Sequence, residues 1–335
     1  MMKMLVTGGA GFIGSNFINH IFNEHPQWEI TNLDKLTYAG NLENLKDVQG
    51  EPRYQFIQGD IADWELIDGV LSRGFDVIIN FAAESHVDRS ILDASPFIET
   101  NVRGTQVLLE SAREHGIERF IQVSTDEVYG SIDKNSFSES STLSPSSPYA
   151  ASKAAADLLC LACWKTYRTP VIITRCSNNY GPYQFPEKLI PLAITNTLEG
   201  KSIPVYGDGL NIRDWIFVAD HCRALDMIVQ EGKSGEVYNI AGSAEKTNLE
   251  VIYGLLELMD KPRSLIQFVT DRPGHDRRYS LDASKIAREL DWKAASSFEE
   301  ALEATVDWYL RHESWWRRIK TGEYAQYYET MYLQR

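Results

Sequence analysis

The chain has 335 residues, of which 43% are hydrophobic, so it is long enough to bury a large core and to form two domains. This composition excludes a chain dominated by disorder. The formal net charge of -14 argues against binding to nucleic acid or to an anionic membrane surface.

The first predicted element is a buried strand over residues 3–7, which leads into a glycine loop and then a helix that extends to about Phe22. The loop places Gly8, Gly11 and Gly14 in the spacing G-x-x-G-x-x-G. Glycines in such a loop let the backbone turn sharply and approach a pyrophosphate, which the N-terminus of the next helix then faces. The pattern therefore predicts a dinucleotide-binding loop.

The second predicted strand, over residues 29–33, ends at Asp34. An acid at this place accepts hydrogen bonds from the adenosine ribose and repels a 2'-phosphate. We therefore expect NAD rather than NADP as the cofactor. The neighbouring Lys35 is the one residue here that favours the opposite choice.

Strand-like and helical patterns alternate through the first half of the chain. The strand candidates share short apolar runs separated by helical patterns, and they cover residues 3–7, 29–33, 54–58, 76–82, 119–125 and 170–175. Such alternation is typical of a Rossmann-type, doubly wound parallel sheet of the α/β class, whose ligand lies outside the carboxyl ends of the strands. Asp60, Ala82, Ala83 and Ser124 fall at such ends.

The regular alternation weakens after about Arg175 into segments punctuated by proline and glycine. We expect a NAD-binding domain over residues 1–175 and a smaller α/β substrate-binding domain, mainly over 176–335. Residues 211–241 again have a strand, helix, strand pattern, so the chain is expected to return there to the first domain.

Thr125, Asp126 and Glu127 follow the apolar run that begins at Phe120, and Tyr149 and Lys153 come next along the chain. Tyr149 and Lys153 are four residues apart, so on a helix they share a face, and the ammonium is expected to favour the phenolate. The tyrosine then serves as the base that takes a hydroxyl proton while a nicotinamide takes a hydride. Few reactions need both this pair and two adjacent carboxyl groups.

The cysteines and the N-terminus bear on the compartment. Four cysteines fit a reduced compartment, and Cys160 and Cys163 are interpreted as buried residues of one helix rather than as a metal or redox site. No secretory signal and no apolar stretch of membrane-spanning length is present in the sequence. We expect a cytoplasmic protein without a bound metal or a membrane partner.

Seven stretches together carry a resemblance to a known family. Each contains a glycine, an acid or a reactive side chain, and the seven are Thr7-Gly-Gly-Ala-Gly-Phe-Ile-Gly14, Asp34-Lys-Leu-Thr-Tyr-Ala-Gly40, Ala82-Ala-Glu-Ser-His-Val-Asp88, Ser124-Thr-Asp-Glu-Val-Tyr-Gly130, Tyr149-Ala-Ala-Ser-Lys153, Ser177-Asn-Asn-Tyr-Gly-Pro182 and Arg272-Pro-Gly-His-Asp276. With them the chain resembles the extended short-chain dehydrogenase/reductases and, within these, the dTDP-glucose 4,6-dehydratase family, over nearly its whole length. The Thr-Asp-Glu triplet discriminates best.

The resemblance implies a redox-neutral dehydration of a nucleotide sugar. Tyr149 takes the C4 hydroxyl proton as hydride leaves for NAD, and Thr125 hydrogen-bonds the ketone oxygen that results. Glu127 then removes the C5 proton and Asp126 protonates the C6 hydroxyl as water leaves. Asp126 must be protonated for this role, so burial near Glu127 is expected to raise its pKa.

The resemblance also implies the remaining contacts of the two ligands. The cofactor contacts combine the glycine loop with the strand ends: Gly8, Gly11, Phe12, Ile13, Gly14, Asp34, Lys35, Asp60, Ile61, Ala82, Ala83, Tyr149 and Lys153. The substrate contacts lie mostly in the second half of the chain: Ser85, Asn178, Lys188, Leu189, Pro204, Tyr206, Arg213, Asn248, Arg272, His275 and Tyr332. A nucleotide sugar is the expected partner, and the family favours a homodimer.

Two other functions remain open from the sequence. A nucleotide-sugar 4-epimerase would use the same Tyr149 and Lys153 chemistry but has no task for Asp126 and Glu127. A catalytically silent, NAD-binding regulator would keep the fold but has little need to retain Thr125 together with Tyr149 and Lys153.

Overall fold

The computed structural model describes residues 2–321. Its strands, in chain order, are β1 Lys3–Thr7, β2 Glu29–Asp34, β3 Tyr54–Gln58, β4 Val77–Asn80, β5 Arg119–Thr125, β6 Val171–Cys176, β7 Asn178–Tyr180, β8 Ile203–Tyr206, β9 Ile212–Phe217, β10 Val237–Ile240, β11 Glu245–Thr247 and β12 Ile266–Val269. Seven of them form one sheet in the order β10-β6-β5-β4-β1-β2-β3. Every pairing in this sheet is parallel.

Helices cover both faces of this sheet. The α-helices of the described residues, in chain order and including those of the second half of the chain, are α1 Phe12–Glu24, α2 Trp64–Leu71, α3 Val87–Leu92, α4 Ser95–Phe97, α5 Thr105–Glu114, α6 Pro148–Tyr167, α7 Leu189–Leu198, α8 Val218–Glu231, α9 Asn248–Leu258, α10 Ser284–Leu290, α11 Phe298–Arg311 and α12 Glu313–Ile319. A π-helical turn lies at Ile98–Gly104. α1 packs on α8, whereas α2 packs on α5 and α5 on α6. The predicted doubly wound fold class is confirmed.

The buried side chains of β1 alternate between the two faces of the sheet, both of which are covered. Met4 and Val6 belong to the hydrophobic cluster that includes α1 and α8, whereas Leu5 belongs to the cluster that includes α2 and α5. Successive side chains of a strand point to opposite faces, so a strand that is covered on both faces must be apolar at every position. That requirement produces the continuous apolar runs in the sequence.

β4 spans Val77–Asn80 and is thus shorter than the predicted strand over residues 76–82. The next two residues turn toward the glycine loop, where a Cβ on Gly8 would lie 2.6 Å from the backbone nitrogen of Ala82. Close packing of the two loops therefore ends the strand early.

The second half of the chain builds two small sheets and its own core. β7, β9 and β11 form a sheet in the order β11-β9-β7, and β8 pairs with β12. α7, α9, α11 and α12 contribute to a separate hydrophobic cluster. β9 lies in the three-stranded sheet, between β7 and β11, whereas β10 lies beside β6 in the seven-stranded sheet. The division of the chain at residue 175 stays a proposal.

Side-chain hydrogen bonds hold the carboxyl ends of the central strands together. The Thr7 hydroxyl donates to Asn80 Oδ1 over 2.6 Å, and Asn80 Nδ2 donates to Gln122 Oε1 over 2.8 Å. Because the strands are parallel, the loops that follow them open at this same edge. No helix within residues 2–321 is long and apolar enough to cross a membrane.

Candidate active site

The glycine loop is built so that side chains are kept away from it. Gly8 has φ +69°, and a Cβ on Gly14 would lie 2.4 Å from the Gly8 carbonyl oxygen. α1 begins at Phe12, so Gly14 lies in its first turn. Gly11 is the N-cap, and no side chain caps the helix there. The first backbone N–H groups of α1 are thus not covered by a capping side chain, as a phosphate-binding helix terminus requires.

Asp34 is positioned at the end of β2 by the backbone. Its Oδ2 accepts from the Ala10 N–H over 2.9 Å, and its Oδ1 accepts from the Leu36 N–H over 2.8 Å. A carboxylate has about four lone-pair positions, so these two bonds leave acceptors for ribose hydroxyls. The neighbouring Lys35 forms an ion pair with Asp60, in which its Nζ lies 2.7 Å from Asp60 Oδ2.

One cavity brings together every residue that the sequence predicts for the cofactor, from Gly8 and Asp34 to Lys153. Thr125, Asp126 and Glu127 line the same cavity, and so do Ser85, Asn178 and Lys188. The glycine loop, the strand ends and the reactive residues therefore share one open cleft, which fits a dinucleotide placed beside a second ligand.

The Thr125-Asp126-Glu127 segment leaves β5 and enters a 3₁₀ turn over Asp126–Tyr129. The Thr125 hydroxyl caps this turn by accepting from the Glu127 N–H over 3.2 Å, and it donates to Asp126 Oδ1 over 3.1 Å. Asp126 Oδ2 is buried and has no hydrogen-bond partner among the residues that the structure describes. An unsatisfied buried carboxyl oxygen is costly unless a ligand or a proton completes it.

Burial, followed by the charge of Glu127, raises the pKa of Asp126 well above its ordinary value, which is the expected direction. Burial also raises the pKa of Glu127, but the positive charges of Arg272, Lys188 and Arg213 oppose this shift. The two adjacent carboxyl groups therefore differ in their surroundings. Cations favour the ionised form of Glu127, whereas Asp126 is the group that more readily keeps a proton.

Tyr149 and Lys153 lie on α6 and are both buried. Lys153 Nζ donates to the Val123 carbonyl oxygen over 2.7 Å. Burial raises the pKa of Tyr149 well above its ordinary value, and the charge of Glu127 adds to this shift. In the protein alone the pKa of Tyr149 is therefore raised, opposite to the direction expected from Lys153, because burial disfavours the phenolate.

The structure distributes the predicted substrate residues around the cavity and beyond it. Lys188 Nζ donates to the Ser85 carbonyl oxygen over 3.0 Å. Arg272 Nη1 lies 3.3 Å from Asp88 Oδ1, and the Tyr206 hydroxyl donates to Asp88 Oδ2 over 2.9 Å. Of the substrate candidates within residues 2–321, Ser85, Asn178 and Lys188 line the cavity, whereas the others do not: Leu189, Pro204, Tyr206, Arg213, Asn248, Arg272 and His275. Tyr332 lies outside the described residues.

Two buried acids escaped the sequence analysis. Asp88 is 2% exposed and binds Tyr206 and Arg272, as described above. Glu187 is 4% exposed and accepts from the Tyr38 hydroxyl over 3.1 Å. Asp88 stands in a motif from which Ala82, Ala83 and Ser85 were selected, and Glu187 adjoins Lys188. Proximity to predicted site residues was the one signal that could have identified them.

Cys160 and Cys163 lie on α6 as predicted, with Cys160 buried and Cys163 half-buried. Both thiols are free. Burial raises the pKa of each thiol, which keeps it protonated and unreactive.

Comparison with known proteins agrees with this geometry. The family described as GDP-mannose 4,6 dehydratase matches residues 5–305. A dTDP-glucose 4,6-dehydratase of an Actinoplanes species is 54% identical over 320 residues, which cover 94% of this chain and 100% of the relative. A crystal structure of dTDP-glucose 4,6-dehydratase from Streptomyces venezuelae with NAD and TYD bound superposes with a TM-score of 0.93 at 52% identity. It covers 95% of this chain and 100% of that one.

A 4-epimerase is more distant. The structure of UDP-glucuronic acid 4-epimerase from Bacillus cereus, in complex with UDP-glucuronic acid and NAD, has a TM-score of 0.87 at 29% identity. The similarity covers 92% of this chain and 99% of that one. The fold is thus shared by both groups, whereas the sequence is much closer to the dehydratases.

Proposed function

The chain belongs to the dTDP-glucose 4,6-dehydratase family, and from this premise we propose that it converts dTDP-glucose to dTDP-4-keto-6-deoxyglucose. The single observation that carries the proposal is the position of Asp126 and Glu127. Both line the cavity that also contains Tyr149, Lys153 and the glycine loop. Elimination of water needs a base and an acid, and two adjacent carboxyl groups in different surroundings can supply both.

The residues present fit NAD as the cofactor. The glycine loop leaves room for a pyrophosphate, Asp34 keeps acceptors for the ribose, and Lys35 is paired with Asp60 rather than available to a 2'-phosphate. When bound, NAD supplies a ring that accepts a hydride from the sugar and returns one to it. Tyr149 and Lys153 line the cavity between this loop and the acids, so they are our candidates for residues beside that ring.

Oxidation at C4 requires removal of the hydroxyl proton, and Tyr149 is the proposed base. Its phenol is poorly ionised in the protein alone, because burial and Glu127 both raise its pKa. Positive charge close to the ring therefore has to favour the phenolate, and the buried Lys153 is the nearest lysine along the same helix face. Thr125 then donates to the C4 oxygen, where negative charge develops during the next step.

Elimination of water across C5 and C6 divides between the two acids. The 4-ketone acidifies the C5 hydrogen, and Glu127, whose ionised form three cations favour, takes this proton. Asp126, whose pKa burial raises, gives its proton to the departing C6 hydroxyl. The proton balance closes when Glu127 gives its proton back to C5 as C6 takes the hydride, and when Tyr149 releases the proton of the C4 hydroxyl as Asp126 regains one, so the protein ends each cycle unchanged.

Cations in the second half of the chain are proposed to bind the diphosphate. Lys188, Arg213 and Arg272 all oppose the rise in the pKa of Glu127, so their positive charges act on that carboxyl group, and Lys188 also lines the cavity. Arg272 is oriented by Asp88, which leaves its other guanidinium nitrogens for phosphate oxygens. We assign Ser85 and Asn178, which line the cavity, to the sugar.

Incubation of the purified protein with dTDP-glucose tests this proposal. The expected product is the 4-keto-6-deoxy sugar, formed without net reduction of NAD. A galactose-configured sugar would instead support the 4-epimerase, and protein that holds NAD without any turnover would support the silent regulator. The adjacent pair of the buried Asp126 and the half-buried Glu127 favours the first outcome, since neither alternative function uses it.

The exposed apolar residues support a homodimer. Leu92, Ile98, Leu158 and Tyr167 are each more than half exposed, at 62%, 53%, 57% and 56%, and they lie on α3, the π-helical turn and α6. These elements contact one another, so their apolar side chains border a common face. Sedimentation at micromolar concentration is expected to give twice the mass of one chain.

We also propose a cytoplasmic location. The free thiols of Cys160, Cys163, Cys176 and Cys222 suit a reducing compartment, in which disulfides do not persist. Fractionation of cells that produce the protein is expected to recover it with the cytoplasmic fraction.

A further inference from the structure

Glu187 is a buried carboxyl group for which the proposed reaction has no task. Its side chain is 1% exposed, it lines the shared cavity, and it immediately precedes Lys188 and α7. A buried acid is costly unless charged or hydrogen-bonding partners compensate it. The partners of Glu187 therefore indicate what the chain uses it for.

Three segments from distant parts of the chain meet at this carboxyl group. Oε1 accepts from the Tyr38 hydroxyl over 3.1 Å, and Oε2 lies 3.4 Å from Arg89 Nη2 and 3.9 Å from His86 Nε2. The Arg89 guanidinium also lies over the Tyr38 ring, 4.0 Å from its centroid. Tyr38, Arg89 and Glu187 thus form a closed triangle of a hydrogen bond, an ion pair and a cation–π contact.

Tyr38 connects this triangle to the cofactor side of the cavity. It belongs to the loop that starts at Asp34, whose carboxylate accepts from the Leu36 N–H, and Tyr38 itself lines the cavity. The ring of Phe185 packs edge-on against Tyr38, with 5.4 Å between the centroids. The segment around Glu187 therefore holds the loop that follows the ribose-binding acid.

Lys188 connects the triangle to the substrate side. The lysine follows Glu187 directly, and its Nζ donates to the Ser85 carbonyl oxygen at the start of the α3 region. Arg89 lies on α3 next to Asp88, which orients Arg272. A displacement of Glu187 would thus be transmitted both to the loop over the cofactor and to two cations of the proposed diphosphate site.

We propose that Glu187 is a positioning residue that couples retention of NAD to binding of the nucleoside diphosphate, through its hydrogen bond with Tyr38. The inference rests on the proposed function, in which the cofactor must stay bound while the oxidised sugar is present. Binding of the diphosphate fixes Lys188 and Glu187, and Glu187 then holds the Tyr38 loop closed. Because coupling is reciprocal, NAD must tighten the diphosphate by the same factor.

The test measures how fast NAD leaves the holoenzyme, with and without saturating dTDP, by trapping the released NAD on an excess of a second NAD-binding enzyme. In the unmodified protein dTDP is expected to slow the release about tenfold, within the usual range of coupling between two sites. Tyr38→Phe removes the hydroxyl but keeps the ring beneath Arg89, and it is expected to bring this ratio close to one.

Tyr54→Phe is the matched control. The Tyr54 hydroxyl accepts from Asn32 Nδ2 over 2.9 Å, outside the cavity, and within residues 2–321 no hydrogen bond or ring contact joins Tyr54 to Glu187, so the ratio is expected to stay near its original value. Glu187→Gln keeps an acceptor for Tyr38 but loses the charge that faces Arg89, so its ratio is expected to fall in part. A merely structural role for Tyr38 would speed NAD release equally with and without dTDP, and the ratio would not change.

The inference holds if Tyr38→Phe and Glu187→Gln lower the ratio and Tyr54→Phe does not; any other pattern overturns it. Should Glu187→Gln fail to fold, the two tyrosine variants decide between the outcomes. Turnover of dTDP-glucose by the unmodified protein is measured in parallel. Normal turnover with a ratio of one removes this inference alone, whereas absent turnover removes the proposed function whatever the ratio.

Discussion

Replacing Glu127 by glutamine separates the two halves of the proposed reaction. The amide has nearly the shape of the carboxyl group but cannot take the C5 proton, and a general base contributes about 10²–10⁴-fold to a rate. We therefore expect dehydration to slow by about 10²–10⁴-fold, which corresponds to about 2.7–5.4 kcal/mol of barrier.

The structure predicts that oxidation of C4 survives this change. The charge of Glu127 is one of the causes that raise the pKa of Tyr149, so its removal lowers that pKa and makes the phenol a more available base. Glu127 also opposes the charges of Arg272, Lys188 and Arg213. Without it these cations attract a diphosphate at least as well, so the KM for dTDP-glucose is not expected to rise.

Rapid mixing with dTDP-glucose measures both steps, by nicotinamide absorbance for oxidation and by the 4-keto sugar for product. Glu127→Gln is expected to accumulate reduced cofactor on the protein while product forms slowly. Glu139→Gln is the control, because that acid accepts from the Asn239 N–H and does not line the cavity. A folded Glu127→Gln protein that holds NAD yet fails to reduce it, or one that dehydrates at the original rate, would refute the assigned division of roles.

Three further predictions follow from the same geometry. The dehydration rate should fall at low pH as Glu127 gains its proton and at high pH as Asp126 loses one. Both limbs should lie above ordinary carboxyl pKa values, because burial raises the pKa of each acid. In a stopped-flow pH series, Asp126→Asn should greatly slow the reaction and abolish the high-pH limb. Arg272→Ala should weaken dTDP binding by about 1.5–3 kcal/mol in calorimetry, the usual value for a hydrogen bond to a charged group, and unchanged affinity would remove Arg272 from the diphosphate site. Gly14→Ala should abolish NAD retention, because its Cβ would lie 2.4 Å from a backbone oxygen, whereas Gly69→Ala, with nothing within 4 Å, should retain NAD and melt no lower than the original protein.

The central sheet was predictable because its strands are specified locally. β1 and β3 agree with their predicted ranges residue for residue, and β2 and β6 differ by a single residue at their ends. β1, β2 and β6 are buried along most of their length, whereas β3 is an edge strand with Gln55 and Gln58 exposed; each is followed by glycine, a charged residue or a polar residue at the cavity. β4 ended early because Ala82 packs on Gly8, and a contact so distant along the chain leaves no local pattern in the sequence.

The candidate site was likewise predictable where its residues form a local motif and not where they meet from distant parts of the chain. The glycine loop, Asp34 and the Thr125-Asp126-Glu127 segment were identified because each forms one continuous motif at a strand end. The contacts that orient the cations were missed: Asp88 and Arg272 are separated by 184 residues, and Tyr38 and Glu187 by 149. The raised pKa of Tyr149 was also not predicted, since the spacing to Lys153 reveals the ammonium but not the burial of the phenol.

The fate of the C4 hydrogen tests the central claim most directly. We expect dTDP-glucose that carries deuterium at C4 to give a 4-keto-6-deoxy product with the deuterium in its C6 methyl group, because the hydride that leaves C4 returns to C6 of the same sugar. NMR of the product locates the label. Deuterium found at C4 of a galactose-configured sugar, or its loss to solvent, would contradict the proposed reaction.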